Sequence, residues 1–131
     1  MRYLSLPETF LIAEAVIGIP AQDLMHISRV DLLDSALHAP QSSYEGVDFY
    51  PDLFSKAAVL CSRIIRNHPL PDGNKRLAWI SMVMFLNLNG WDLQTDTKTA
   101  VALLRSIAEA AISETGISEW IRAHANAVTP E

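Results

Sequence analysis

Apolar residues recur at helical spacing over most of the chain and rarely alternate as they would in a strand. Leu53, Ala57, Leu60, Cys61 and Ile64 follow one another at steps of three and four, which predicts an amphipathic helix opening near Pro51 and running to His68. From Leu77 to Leu88 the chain is apolar nearly all round, and this predicts a central buried helix stopped at Gly90. Upstream, Ser5-Leu6-Pro7-Glu8 combines a capping box with a proline in the first turn, so a helix is expected from there to about residue 17, ended by Gly18 and Pro20. Residues 29–38 suit a second helix, 95–112 a fifth and 118 to about 127 a short sixth. The longest irregular stretch lies between residues 39 and 51, with a small hairpin expected within 41–50. The pattern therefore predicts a single all-α domain over residues 1–131, a compact bundle of about six helices.

Composition narrows the classes of function. Half of the 131 residues are hydrophobic, enough for a real core. The one cysteine, Cys61, excludes an intrachain disulfide framework and suits a reducing, cytoplasmic location. No run of about 18 apolar residues is present, so no membrane span is expected. The first apolar stretch is broken by Glu8 and Glu14, unlike a signal-peptide core. A net charge of −5 argues against direct nucleic-acid binding, which depends on neutralising phosphates. The charge is unevenly placed, however. Lys56, Arg63, Arg66, Lys75 and Arg76 are five of the ten basic residues, and Asp72 is the only acid among them. Such a local cluster suggests a small anionic ligand or one acidic patch on a partner.

The segment Asn67-His68-Pro69-Leu70-Pro71-Asp72-Gly73-Asn74-Lys75-Arg76 joins the two strongest helical patterns. Free backbone N–H groups at the start of the second helix, with the helix dipole, make an anion site. Gly73 lets the backbone approach a ligand closely, and Asn74 reads as the helix cap. Lys75 and Arg76 oppose the dipole at that end, a conflict a bound polyphosphate would offset. Arg66 is near enough to reach the same anion. Asp72 is a candidate for Mg²⁺, which binds through one or two carboxylates plus substrate phosphates. His68 continues the apolar stripe four residues after Ile64, which would turn its ring toward the interior edge, and it is the candidate general base. Base, metal carboxylate and phosphate cradle together suit phosphoryl or nucleotidyl transfer to a hydroxyl.

Other groups carry less. Cys61 and His68 lie on one face but about 10 Å apart along a helix, too far for a nucleophile–base pair, and Cys61 reads as core. The histidines at 26, 38, 68 and 124 show no metal-binding helical spacing. Trp79, Trp91 and Trp120 read as core or interface.

The run from His68 to Arg76 closely resembles the signature of the Fic/Doc family, H-x-F-x-D-x-N-K-R in its Doc branch. MRYLS, VDLLDSALHAPQSSYEGVDFYPDL and MVMFLNLNGWDL also resemble that branch, so the likeness covers most of the chain. The resemblance implies a helical bundle with the motif loop over a central helix. It implies His68 as the base that activates a target hydroxyl and Asp72 at Mg²⁺. It places Gly73, Asn74, Lys75, Arg76 and Arg66 around the phosphates of ATP, and a target-positioning flap at Tyr44, Glu45, Gly46, Val47 and Asp48. Most of the family transfer AMP and carry glycine at the position of Lys75. Lysine there resembles the Doc branch, in which ATP lies reversed and the γ-phosphate goes to a threonine of elongation factor Tu. The resemblance thus implies a toxin of a toxin–antitoxin pair, with a cognate antitoxin as its other partner.

Two departures stand out. Leu70 replaces the usual phenylalanine, and Gly73 is typical of the AMP-transferring branch, which keeps AMP transfer as the alternative. A non-catalytic module that binds nucleotide or antitoxin is a second alternative, and the intact motif argues against it. The family's inhibitory helix has the pattern [S/T]-x-x-x-E-[G/N]. Thr115 to Glu119 approaches it, but Trp120 follows, so no self-inhibition is expected and a separate antitoxin is.

Overall fold

The Ser5 hydroxyl accepts from the Glu8 N–H at 3.2 Å, and the Glu8 carboxylate accepts from the Ser5 N–H at 3.0 Å. This reciprocal cap opens α1 (Leu6–Ile17) as the sequence predicts, and its hydrogen bonds hold the Glu8 carboxyl below its usual range. The computed structural model describes residues 1–128. After α1 come α2 (Ala21–Ile27), α3 (Val30–His38), a 3₁₀ turn (Ala39–Gln41), and the strands β1 (Ser43–Tyr44) and β2 (Val47–Asp48). Then follow α4 (Leu53–Asn67), α5 (Asn74–Leu88), β3 (Trp91–Leu93), α6 (Thr97–Ala108), α7 (Glu114–His124) and β4 (Ala125–Ala127).

The fold is all-α, a bundle whose strands form two small antiparallel pairs, β1 with β2 and β3 with β4. Helix α4 is its centre, packed by α3, α5, α6 and α7. Ala57, Ala58, Cys61 and Ser62 are fully buried on it, and these small side chains let neighbouring backbones come close. Leu60 and Ile64 fill the space with Leu77, Met82, Phe85, Leu103, Ile107, Ile117 and Ile121 from the surrounding helices. Each such large side chain contributes about 1.5–3 kcal/mol by its removal from water. No single helix among the described residues is long and apolar enough to cross a membrane.

The structure corrects the sequence reading in four places. Helix α2 was not expected; it has seven residues and buries only Leu24, too little to make a stripe. The fifth predicted helix stops at Ala108, where Glu109 caps it and Ala110 takes φ 55°. The last helix starts earlier, because the Ser113 hydroxyl caps it by accepting from the Gly116 N–H at 3.0 Å. It also ends earlier, since Ala125–Ala127 pair with Trp91–Leu93 instead of continuing the helix. Finally, α5 is not buried all round: Ile80 and Met84 are exposed on its outer face, and the helix enclosed on nearly every side is α4.

Candidate active site

Helix α4 ends at His68, which takes a left-handed conformation (φ 49°, ψ 56°) and donates its N–H to Ile64 O at 3.2 Å. For a residue other than glycine this conformation costs of order 1 kcal/mol or more, so the surroundings must hold it. They do so on both sides. The Asn67 amide donates to Leu32 O at 2.9 Å, and Pro69 O accepts from the Arg29 N–H at 2.8 Å. The turn lifts His68 out of the stripe that ends at Ile64, so its side chain is exposed and does not face the interior edge as the periodicity predicted.

The next residues explain the shape of the loop. Leu70 is 1% exposed and anchors the loop in the core. Its backbone is gripped by Asn74: the amide Nδ2 donates to Leu70 O, and Oδ1 accepts from the Leu70 N–H, both at 3.0 Å. Asn74 is therefore the first residue of α5, buried and engaged with the loop, and not its cap. The cap is Gly73, at φ 82°. A Cβ on Gly73 would lie 3.0 Å from Cγ1 of Ile17, so both the backbone conformation and the close approach of α1 require glycine. No side chain caps α5, which leaves the N–H groups of its first turn for an external acceptor.

These elements enclose a cleft of about 790 Å³. His68, Asp72, Gly73, Asn74, Lys75 and Arg76 line it from the loop, Ile65 and Arg66 from α4, and Val101, Leu104, Arg105 and Ala108 from α6. All seven residues assigned from the sequence to base, metal and phosphates thus come together. Arg105 was missed, because only the packing of α6 onto α4 brings it there.

The basic cluster read from the sequence divides in two. Lys56 is 4% exposed; it donates to Pro40 O at 2.9 Å and lies 3.8 Å from the Asp48 carboxylate. Arg63 bridges Glu114 at 3.2 Å and the Tyr50 hydroxyl at 3.0 Å. Both are structural, and Lys56 braces the hairpin where the flap was expected. There Ser43 pairs with Asp48 and Tyr44 with Val47, around a turn in which Glu45 (φ 51°) and Gly46 (φ 79°) are both left-handed. Tyr44 and Val47 are each 67% exposed. None of residues 44–48 lines the cleft.

Cys61 is fully buried, and burial pushes its thiol up to about 12. It stays protonated and inert through the neutral range. The folded protein should therefore resist thiol labelling at pH 8 and label fully only in denaturant; labelling at the rate of a free thiol would contradict this placement.

Asp72 is the only carboxylate lining the cleft, and no group of three or more metal-ligating side chains occurs among the described residues. One exposed carboxylate beside an uncapped helix start fits Mg²⁺ held jointly with a phosphate, and does not fit a metal held by protein alone.

Residues 10–86, which hold this loop and nearly all of the helices on either side of it, match the Fic/DOC family, and the chain belongs to it. That span contains the hairpin, α4 and the whole loop. Over 65 residues the chain is 51% identical to a protein of Mycolicibacterium smegmatis named Toxin Doc. The match covers 50% of this chain and 50% of that protein, so the chain spans about half the length of the curated relative it matches.

Proposed function

We propose that the protein is a Doc-type toxin that transfers the γ-phosphate of ATP to a threonine hydroxyl of elongation factor Tu in the cytoplasm, and that a cognate antitoxin restrains it. The observation that carries this reading is Lys75, exposed and lining the same cleft as His68, where AMP transferases of the family carry glycine. A long cation at the helix start fills space that a triphosphate would otherwise take, and so changes how the nucleotide lies.

In this mechanism the exposed His68 ring accepts the proton of the target hydroxyl. The hydroxyl oxygen forms a bond to the γ-phosphorus, the bond from that phosphorus to the β,γ-bridging oxygen breaks, and ADP leaves. The first-turn N–H groups of α5 with Lys75, Arg76 and Arg66 stabilise the charge that builds on the phosphoryl oxygens. Asp72 would hold Mg²⁺, which supplies charge neutralisation between phosphates when bound. The hairpin at 44–48, with its exposed strands, would align the target segment by strand addition. Gly73 does not argue for AMP transfer, because its φ and its contact with Ile17 already account for it.

The test is the intact mass of elongation factor Tu after incubation with the protein, ATP and Mg²⁺. A gain of one phosphate is expected. A gain of one AMP would replace the kinase reading with AMP transfer. No change there or in whole lysate would favour a non-catalytic module that binds nucleotide or antitoxin.

A further inference from the structure

Of the ten lysines and arginines, four are in ion pairs among the described residues: Arg2 with Glu8, Lys56 with Asp48, Arg63 with Glu114 and Arg122 with Asp52. Among the described residues the other six have no carboxylate within ion-pair distance. Four of these six, Arg66, Lys75, Arg76 and Arg105, line one cleft. Three of the four lie in or next to the motif. Arg105 does not: it belongs to α6, and its exposed side chain shares the cleft-facing stripe Val101, Leu104, Arg105 and Ala108. Glu109 stands four residues on, at the spacing for a helical ion pair, yet the two do not pair. With Asp72 as the only acid, Arg105 raises the formal charge of the cleft lining from +2 to +3 in a protein of net charge −5.

We propose that Arg105 is a phosphate-binding residue of this cleft, contacting the bound nucleotide from the α6 wall. The proposal rests on the nucleotide reading of the site. The α6 wall is otherwise apolar, so the guanidinium is its one strong donor group, and its planar fork suits two phosphate oxygens at once. It leaves the proton transfer at His68 to the loop and acts on how tightly, and in which direction, the triphosphate lies.

The experiment is calorimetric titration of the full chain with Mg·ATP and, separately, with inorganic tripolyphosphate. It uses the wild type, Arg105→Ala, Arg105→Lys, and Lys98→Ala as an exposed α6 control outside the cleft. Arg105→Ala should weaken both ligands about tenfold or more, Arg105→Lys should recover part of the loss, and Lys98→Ala should change neither. The salt dependence of binding should also be shallower in Arg105→Ala, a readout that a packing role would not move. Since Arg105 is exposed and unpaired, its melting temperature should match the wild type. If Arg105→Ala binds both ligands like the wild type, the proposal is wrong and the nucleotide reading stands. If the wild type binds tripolyphosphate but not ATP, and Arg105→Ala weakens it, Arg105 is an anion ligand and the nucleotide reading fails. Binding of neither ligand by the wild type would overturn both.

Discussion

Replacing His68 should lower phosphoryl transfer to elongation factor Tu by a factor of about 10² to 10⁴, the usual contribution of a positioned general base. Two variants are needed, because residue 68 has a left-handed backbone. Asparagine tolerates that conformation better than alanine, so His68→Asn separates loss of the base from strain in the loop. Both variants should still bind Mg·ATP, since the proposed phosphate contacts, from Arg66, the start of α5 and Arg105, lie outside the replaced side chain. Both should relieve growth arrest in cells that make the protein without an antitoxin. Single-turnover rates followed by mass would check this. A rate for His68→Asn within a few-fold of the wild type would remove His68 as the base.

The second large effect is expected at Asn74, and it is structural first. Truncation to alanine leaves the Leu70 N–H and C=O buried without partners, since both are satisfied only by the Asn74 amide. Each unpaired buried group costs about 1–3 kcal/mol, so the loss of two is roughly 2–6 kcal/mol. For a chain of this size that corresponds to a melting temperature lower by roughly 10–20 °C. Asn74→Asp keeps an acceptor for the Leu70 N–H but loses the donor and sets a carboxylate against the Leu70 carbonyl, so it should be no better than alanine. Thermal unfolding of the two variants decides. A melting temperature unchanged in both would mean that the clamp does not hold the loop. Activity should fall with stability, because the same clamp fixes the path from His68 to the start of α5.

These two residues also show how far the sequence could be read. The order of residues from His68 to Arg76 named the candidate site, and the structure gathers its residues into one cleft. The side-chain directions were not legible. His68 sat in register with a helical stripe, and only the left-handed turn, fixed by Arg29 and Leu32 from a distant helix, takes it out to solvent. Asn74 has the chemistry of a cap, but Gly73 already fills that position, and the buried amide turns to Leu70 instead. Arg105 has no local signal at all, because it enters the site through tertiary packing. The α4 stripe, the Ser5 capping box and the hairpin were readable because each is set by neighbours close in sequence. The pairing of β3 with β4 was not, because it joins segments about thirty residues apart.

The contact of Gly73 with Ile17 bears on how such a protein would be lost in a population. Any side chain at 73 meets the end of α1 and takes up a strained backbone, and a larger side chain at 17 would press on the same spot from the other side. On the proposed toxin reading, colonies that survive forced synthesis of the protein should therefore carry lesions at positions 17 and 73 as well as at the proposed reacting residues. Escape would then arise from a target wider than the catalytic motif, and a gene drifting without need of its product would be silenced through α1 as readily as through its histidine.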